Sequence, residues 1–515
     1  MMKALLLAGV LLAGAAASAP VTLLPDGTYH YASTVSGHAI GSSTIAVHRS
    51  GNVITVGESA SFAGVGLVSQ RTIDATNFAT LGYSVDFAGR HATMTIVGNE
   101  AILRQAGVTA KVSSAPGAPF VVNDNMVAGF AQIPATLHAT GEKKLTLACA
   151  CGRFVAVPIV VDAMADGRVT MTLQGMNATE TFDPQTYVMK TFELPSQQLT
   201  IALQSYDPTV APLPSPVVAT PLPLPPAKYT SRDVAIRTND GVTLAATLTM
   251  PGDAAARVPG VVLVHGSGCN DRNETIGPNL IFGQLANALS NDGYAVLRYD
   301  KRSCGKSGGT FPVRDRLIAD ARDAIAYLRA QPGIDPSRIF VLGHSEGGEL
   351  APSIAIADGR LAGIVLLAPP ALPLEQIIMQ QTLHTTTDAD RASVQKEEQA
   401  ELDAIAAGKK TGEENVWLRS SFGIDPAQLI AKVPCPILIV QGGKDIQVLA
   451  KDTPRLVDAA KATHRQLTVV MLPDDDHLFI KLAPGDSSSG AEYFIPAYLD
   501  PQLLRAIESW LAAHT

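Results

Sequence analysis

The residues best suited to chemistry lie in the segment Gly343–Gly347, which reads Gly-His-Ser-Glu-Gly and matches the pattern G-x-S-x-G. The apolar run Ile339–Leu342 leads into it, so we expect a strand that turns sharply into a helix. A glycine two positions on either side of Ser345 lets neighbouring backbone approach without a Cβ clash. The serine hydroxyl would then project at a helix N-terminus, where backbone N–H groups can meet developing negative charge. The pattern therefore predicts a nucleophilic serine.

The elements that must position this serine alternate between strand and helix from about residue 228 onward. Such alternation is typical of an α/β sheet, and eight mostly parallel strands are expected, the first two as a hairpin. Charged, helix-like residues at about 374–425 interrupt the alternation and predict an inserted helical lid. The predicted strands are Val234–Arg237, Val242–Met250, Val261–His265, Tyr294–Tyr299, Ile339–Leu342, Leu361–Leu367, Pro436–Val440 and Leu467–Leu472.

Residues 20–206 follow a different pattern, with short apolar runs separated by Gly, Asn and Asp turns. This pattern favours a separate, mostly-β N-terminal domain, as one unit or as two subdomains. Its role is open between positioning the rest of the chain and binding a polymer or cell-wall ligand. Residues 207–227 contain eight prolines. Because proline favours an extended backbone and cannot donate to a sheet, this segment is predicted to be a linker.

The chain as a whole excludes some classes of partner. Its formal net charge is -8 and no block of basic residues stands out, which excludes nucleic acid as an expected partner. Residues 1–19 combine Lys3, the apolar run Leu5–Leu12 and small residues, the pattern of a cleavable signal peptide. The mature protein is therefore expected to be periplasmic or secreted, with an uncleaved anchor as the alternative. No later segment has the length of a membrane span.

Residues 228–515 resemble the α/β-hydrolase superfamily, and within it the dienelactone-hydrolase-like and serine-aminopeptidase-like bacterial carboxylesterases. Several of these carry an additional N-terminal domain. The resemblance implies a serine hydrolase that acts on a small-molecule ester and needs neither a metal nor an organic cofactor. The motifs that carry it are His265-Gly266-Ser267-Gly268, Asp271-Arg272, Asp300-Lys301-Arg302, Gly305-x-Ser307 and the turn at Ser345.

The resemblance also implies a catalytic triad with the chain order serine, acid, histidine. Asp445 follows the next-to-last strand and a Gly-Gly turn, so it is the expected acid. His477 lies in the loop after the last strand and is the expected base. The aspartates 474–476 are too close in sequence to orient this ring, and are instead expected to raise its basicity.

Two backbone donors are expected to stabilise a developing oxyanion. The resemblance assigns these to the N–H groups of Ser267 and Glu346, while the side chain of Glu346 has no assigned role. The usual family loop has a glycine where this chain has Ser303. The charged loop residues expected to form ion pairs are Asp271, Arg272, Asp300 and Arg302.

Five cysteines occur in the chain. By the resemblance, the strands before Cys269 and Cys304 are neighbours, so both thiols emerge at one sheet edge. In an oxidising compartment they could form a disulfide at the rim of the site, with free thiols as the alternative. Cys149 and Cys151 are too close to bridge without strain, and Cys435 is expected to be a buried thiol.

The function expected from these patterns is an exported serine carboxylesterase that hydrolyses small or medium acyl esters through an acyl-enzyme on Ser345. A peptidase or amidase of the same fold is the alternative within catalysis. A catalytically silent binding protein is the alternative of another class. The sequence leaves open the preferred acyl chain and the oligomeric state.

Overall fold

The computed structural model describes residues 22–515, apart from residues 36, 63–64, 88–89, 106–107, 115–119, 123–126, 150–154, 174–175, 196–197, 217–219, 253–256, 385, 387–390 and 411. The predicted signal peptide at residues 1–19 and Cys151 lie outside the described residues. Among the helices in the described part of the chain, none is both long and apolar enough to cross a membrane.

The N-terminal region is built on one continuous sheet, in which β8 to β1 are followed by β15 back to β9. Neighbouring strands are antiparallel except β9 and β10, which run parallel. The predicted mostly-β region is thus confirmed, and its strands belong to one sheet. Its strands are β1 (Gly27–Val35), β2 (His38–Ser50), β3 (Val53–Phe62), β4 (Val65–Asp74), β5 (Thr80–Phe87), β6 (Arg90–Val97), β7 (Glu100–Gln105), β8 (Val108–Ser113), β9 (Phe120–Val122), β10 (Lys144–Cys149), β11 (Val155–Ala165), β12 (Arg168–Leu173), β13 (Met176–Phe182), β14 (Met189–Leu194) and β15 (Leu199–Asp207).

One helix, α1 (Val127–Thr140), packs into the core of this sheet, and the sequence did not predict it. Its residues are mostly apolar or small on every side, and the stretch from Ala131 to Leu137 is buried throughout. A helix that is buried all round lacks the one-sided periodicity by which surface helices are recognised. Pro134 inside the helix further hides it from sequence analysis.

The N-terminus of α1 is held by the buried carboxylate of Glu58. Its two oxygens accept hydrogen bonds from the backbone N–H groups of Val127 and Ala128, each 3.1 Å long. Ser43 donates to the same carboxylate, and the Arg71 guanidinium lies 3.8 Å away. An anion at a helix N-terminus is favourable because it meets unpaired N–H groups. This cluster therefore fixes α1 against β2, β3 and β4.

The C-terminal region contains the predicted eight-stranded sheet, in the order β16-β17-β21-β18-β22-β23-β24-β25. The first two strands form the predicted hairpin, β17 and β21 are antiparallel, and the remaining pairs are parallel. The strands are β16 (Tyr229–Arg237), β17 (Thr243–Pro251), β18 (Val258–Val264), β21 (Ala295–Tyr299), β22 (Ile334–His344), β23 (Gly363–Leu367), β24 (Ile437–Gly442) and β25 (Leu467–Leu472), with a separate small hairpin of β19 (Thr275–Ile276) and β20 (Asn279–Leu280).

Helices cover both faces of this sheet, so its central strands read as unbroken apolar runs. Four helices, α5 to α8, are inserted between β23 and β24, and α5 to α7 lie within the lid predicted at about 374–425. The helices are α2 (Ile281–Asn291), α3 (Arg314–Arg329), α4 (Glu346–Asp358), α5 (Leu374–His384), α6 (Arg391–Ala406), α7 (Glu413–Ser421), α8 (Pro426–Ile430), α9 (Thr453–Ala462) and α10 (Pro501–Ala512).

The proline-rich segment between the two sheets is hydrogen-bonded near both of its ends. Thr28 of β1 donates to the carbonyl of Thr209, at 2.7 Å. At the other end, Asn287 of α2 donates to the carbonyl of Pro225, at 3.0 Å. Side chains of the folded regions therefore satisfy backbone groups that an extended proline-rich chain leaves unpaired.

We predict that Glu58→Ala destabilises the N-terminal region by about 3–5 kcal/mol. The variant lacks the carboxylate that lies beside the buried Arg71 and that accepts hydrogen bonds from the first N–H groups of α1. Urea unfolding followed by circular dichroism measures the effect. Glu100→Ala is the matched control, since Glu100 forms a half-exposed pair with Lys111 that should contribute about 1 kcal/mol or less. Equal losses for the two variants would contradict the prediction.

Candidate active site

The turn at Ser345 joins β22 to α4 in a conformation that few residues adopt. Ser345 has φ 53° and ψ -117° and is the N-cap of α4. Its N–H donates to the carbonyl of Leu367 on β23, at 2.9 Å. A Cβ at Gly347 would lie 1.9 Å from the carbonyl oxygen of Val264, so only glycine permits this close approach. The strained serine is thus held at the carboxyl end of the sheet, at the start of a helix.

Asp445 and His477 meet at the same edge of the sheet. Asp445 follows β24 and His477 follows β25, and these two strands are parallel neighbours. The Nδ1 atom of His477 lies 2.8 Å from Oδ2 of Asp445, and both side chains are buried. Oδ1 of Asp445 accepts from the N–H groups of Gln447 and Val448, each at 2.8 Å. The carboxylate is therefore fixed, and it orients the ring through Nδ1, which leaves Nε2 for another partner.

His344, next to Ser345, connects the turn to the loop that carries His477. Its Nε2 atom lies 3.0 Å from the carbonyl oxygen of His477, and the two rings are 4.9 Å apart. On its other side, Nδ1 of His344 lies 3.2 Å from the buried carboxylate of Glu274. Burial alone would lower the pKa of His344, but the nearby charge of Glu274 raises that pKa above its ordinary value.

Glu274 also holds the loop that contains Ser267. Its Oε1 atom accepts from the N–H of Gly266, at 2.5 Å. Burial opposes ionisation of Glu274, yet the neighbouring charge of His344 keeps the pKa of its carboxyl below the ordinary value. Sequence reasoning missed this buried pair, because its partners lie far apart in the chain. His344 belongs to the Gly-His-Ser-Glu-Gly motif, but no local pattern marks Glu274 as its partner. The pair ties together three loops around Ser345.

Ser267, Ser345 and Glu346 line one cavity of about 280 Å³ beneath the lid. The side chain of Ser345 lies close to the Ser267 loop, since a Cβ at Gly266 would lie 3.3 Å from its Cβ. The cavity wall is largely apolar, and most of its apolar residues come from the lid and the segment before it. These are Pro370, Leu372, Leu374, Ile377, Ile378, Trp417, Leu418, Ile424 and Pro426.

Two carboxylates face the same cavity, and both have partners. Glu346 bonds to the ammonium of Lys301, at 2.8 Å, and accepts from the indole N–H of Trp417, also at 2.8 Å. Glu349 accepts from Arg314 at 2.6 Å. Burial, only partly offset by the Arg314 charge, raises the pKa of Glu349. The charges that line the cavity are therefore compensated within the protein.

The rim of the site is tied by the Cys269–Cys304 disulfide, with Cα atoms 5.4 Å apart. It joins the loop after β18 to the loop after β21, two strands that are parallel neighbours. Arg272 also bonds Asp300 through two nitrogens, at 2.9 and 3.0 Å. The disulfide and this ion pair therefore restrain the same two loops.

The other charged loop residues divide into two kinds. Arg302 is buried and forms ion pairs with Asp320 of α3 and with Asp240. Asp271 instead accepts hydrogen bonds from the N–H groups of Asn273 and Thr275, at 3.1 and 3.0 Å, as a turn residue does. These contacts shape the loops around the cavity, and neither Arg302 nor Asp271 is among the residues that line it.

Asp475 and Asp476, beside His477, do not fit the expected role of stabilising its charged form. Burial raises the pKa of Asp475 to about 7, with the charge of Asp500 adding to the effect. Burial raises the pKa of Asp476 to about 8, against the effect of hydrogen bonds from the backbone. Near neutral pH, Asp476 is therefore largely protonated and Asp475 about half protonated. A neutral carboxyl cannot stabilise an imidazolium by charge.

Comparisons with known proteins place these features in context. A sequence model of the protein family described as "Alpha/beta hydrolase family" matches residues 261–486. Esterase EstD of Thermotoga maritima is 32% identical over 295 residues, which cover 56% of this chain and 68% of that protein. Dipeptidyl aminopeptidase BIII of Pseudoxanthomonas mexicana is 28% identical over 266 residues, 48% of this chain and 35% of that protein. An esterase structure from Pyrococcus furiosus aligns with TM-score 0.40 and 17% identity over 55% of this chain and 91% of that one.

We predict that Asp476→Asn makes the fold less sensitive to alkaline pH. The folded-state pKa of about 8 lies above the ordinary value, so the folded state retains a proton that the unfolded state releases. Wild-type stability should therefore fall as pH rises from about 4 towards 8. Asparagine cannot ionise, and its Oδ1 can still accept from Leu478 and Ile480.

Unfolding midpoints at pH 5 and pH 8.5 measure this difference. The variant should gain about 4 kcal/mol relative to wild type between the two pH values, since wild type loses about 1.4 kcal/mol per pH unit from pH 5 to its folded-state pKa. Asp486→Asn, at an exposed position of a neighbouring loop, is the matched control and should show no such gain. If the stability of Asp476→Asn depended on pH as strongly as that of wild type, the raised pKa could not belong to Asp476.

We predict that the Cys269–Cys304 disulfide, which closes a loop with a sequence separation of 35, stabilises the protein by about 3–4 kcal/mol. Cys304→Ser should lower the melting temperature and abolish its sensitivity to dithiothreitol. Cys435→Ala is the control, because Cys435 is a free, buried thiol and its loss should leave that sensitivity intact. Mapping of unreduced peptides that found Cys269 and Cys304 unlinked would contradict the prediction.

Proposed function

Because the chain belongs to the alpha/beta hydrolase family, we propose that it is a serine carboxylesterase that works through an acyl-enzyme on Ser345. The observation that carries this proposal is the buried His477–Asp445 pair, at 2.8 Å. Its loop bonds to His344, the residue next to the strained Ser345. Acyl transfer requires a serine nucleophile and a base that is held by an acid. The proposal assigns these roles to Ser345, His477 and Asp445.

The proposed reaction begins when Oγ of Ser345 attacks the ester carbonyl carbon and its proton passes to Nε2 of His477. Asp445 stabilises the resulting imidazolium through Nδ1. When the tetrahedral intermediate collapses, the bond to the alcohol oxygen breaks and His477 returns the proton to the departing alcohol. Water then attacks the acyl-enzyme and gives its proton to His477, and the carboxylic acid is released as Ser345 recovers its proton.

The proposed oxyanion hole consists of the N–H groups of Ser267 and Glu346. Glu346 is the first residue of α4, so its N–H is among those with no partner inside the helix. Ser267 lines the same cavity, and its loop lies close to Ser345. Two fixed donors stabilise a developing negative charge more than water would, because they need not reorient during the reaction.

The proposed substrate is an ester with a small or medium apolar acyl group. The cavity of about 280 Å³ is slightly smaller than most ligand pockets, which span about 300–1,000 Å³. Its apolar lid residues favour a hydrocarbon chain, and compensated carboxylates leave little excess charge at the wall. The name of the Thermotoga maritima relative, an esterase, supports the same reaction class.

A peptidase or amidase remains the alternative within catalysis, and the relative from Pseudoxanthomonas mexicana carries the name of an aminopeptidase. An aminopeptidase needs an anion to bind the substrate ammonium. The two carboxylates of the cavity, Glu346 and Glu349, already bond Lys301 and Arg314. A free amine would have to compete with a buried cation of the protein, and this favours the ester.

We further propose that the protein is exported, by way of a signal peptide at residues 1–19, to the periplasm or the medium. A disulfide between Cys269 and Cys304 suits an oxidising compartment. The proposed partner is a small-molecule ester, and the proposed mechanism uses neither a metal nor an organic cofactor. A binding protein without catalysis is the alternative of another class.

We predict that Ser345→Ala lowers the kcat of p-nitrophenyl ester hydrolysis by at least about 10⁴-fold, because the variant has no nucleophile to acylate. Ser337→Ala, an exposed serine on the same strand, is the matched control and should retain wild-type turnover. Wild-type protein should hydrolyse acyl esters faster than aminoacyl p-nitroanilides. Faster anilide turnover would favour the peptidase, and an unchanged ester rate in Ser345→Ala would refute the mechanism.

A further inference from the structure

Lys301 is a buried lysine that lies between the two loops of the proposed oxyanion hole. Only 5% of its surface is exposed. Its ammonium donates to the carbonyl of Gly266 at 2.6 Å and to Oε2 of Glu346 at 2.8 Å. Lysine is almost never fully buried without a partner, and burying an ion pair adds little stability compared with apolar residues of similar size. Stability alone therefore does not explain why a lysine occupies this position.

The first bond fixes the direction of a proposed oxyanion donor. The carbonyl of Gly266 and the N–H of Ser267 belong to the same peptide unit. Because this unit is planar and trans, the two groups point in opposite directions. An ammonium bonded to the carbonyl therefore sets the direction of the Ser267 N–H. Asn270 adds a second hydrogen bond to the same carbonyl, at 2.9 Å.

The second bond reaches the residue that carries the other proposed donor. The carboxylate of Glu346 is held between Lys301 and the indole N–H of Trp417, which bonds Oε1 at 2.8 Å. Glu346 starts α4, so a fixed side chain at this position restrains the first turn of the helix and its N–H. Lys301 thus connects both donors, one through a peptide plane and one through a carboxylate.

Trp417 brings the lid into this arrangement. It lies on α7, and its indole packs edge-on against Phe311, with ring centres 6.3 Å apart. When α7 is seated, the indole N–H completes the bonding of the Glu346 carboxylate. If α7 moves away, the carboxylate loses one of its two partners. The position of the lid is therefore coupled to the geometry of the proposed oxyanion hole.

We infer that Lys301 and Glu346 are positioning residues that orient both backbone donors of the oxyanion hole, and that Trp417 couples lid closure to this orientation. The inference rests on the proposed esterase function and adds residues that act on the reaction without touching the substrate carbonyl. Substitution of these positioning residues should lower kcat and the affinity for transition-state analogues, and should change KM much less.

The test uses Lys301→Met, which retains an unbranched side chain without the charge. We expect kcat for a p-nitrophenyl ester to fall about 10- to 100-fold, somewhat less than the loss of a whole oxyanion donor. KM should change by less than about 3-fold. A trifluoromethyl ketone, whose adduct carries an oxyanion, should lose affinity by the same factor as kcat/KM.

Arg329→Met is the matched control. Arg329 forms a largely buried ion pair with Asp358 at the far end of α4, with two bonds of 2.9 Å. Removing this cation should cost stability but leave kcat and inhibitor affinity unchanged. A fall in kcat for Arg329→Met as large as that for Lys301→Met would show a general effect of stability, and would overturn the inference.

Two further variants keep the test decisive if Lys301→Met folds poorly. The double variant Lys301→Met with Glu346→Gln removes both charges, so its melting temperature should recover relative to Lys301→Met while its kcat stays low. Trp417→Phe keeps an aromatic ring but lacks the N–H, and its kcat should fall about 10-fold. Wild-type kcat in both would overturn the inference.

Ser345→Ala separates failure of this inference from failure of the proposed function. If Ser345→Ala has no esterase activity while the Lys301, Glu346 and Trp417 variants match wild type in kcat and inhibitor affinity, only the inference falls. If Ser345→Ala retains its ester turnover, the proposed function itself is wrong, and the inference falls with it.

Discussion

The turn between β22 and α4 leaves no room for a side chain at Gly347, whose backbone presses against the carbonyl of Val264. Ser345, two residues before this contact, has a positive φ at the carboxyl end of a central strand. The strain is sustained because β18 and β23 flank β22 and bond it along its length. The rest of the site depends on this constraint, since every other group is arranged around a serine that cannot move away.

Buried charge pairs hold the surrounding loops close to Ser345. Glu274 and His344 join the turn to the Ser267 loop and to the loop of His477. Lys301 and Glu346 join the same Ser267 loop to the start of α4. Buried pairs contribute little net stability, but they are directional, and a missing partner costs several kcal/mol. Such pairs therefore suit a site in which geometry matters more than stability.

Much of the fold followed from local sequence patterns. The eight strands and the inserted lid were predicted because buried parallel strands read as short apolar runs and the lid breaks their alternation. Helix α1 was missed, because a helix buried on all sides has no polar face to mark its period. The sequence also left open whether the N-terminal region is one unit or two subdomains, since strand pairing over long distances has no local signal.

The residues of the site were likewise predicted only in part. Asp445 and His477 were predicted from their places after the last two strands, and their side chains lie 2.8 Å apart. Glu274, Lys301 and Trp417 were given no role in the site, because each acts through a partner distant in the chain. The charge of Asp475 and Asp476 was misjudged, since their burial, which raises both pKa values, cannot be read from three consecutive aspartates.

The central claim is that Ser345 becomes acylated, and covalent labelling tests it most directly. The full-length protein is treated with a fluorophosphonate, and its peptides are mapped by mass spectrometry as ester hydrolysis is lost. The account predicts one adduct per chain, on the peptide that contains Ser345, in proportion to the lost activity. An adduct on a different residue that accompanies the loss, or ester turnover that continues after Ser345 is fully labelled, would contradict it.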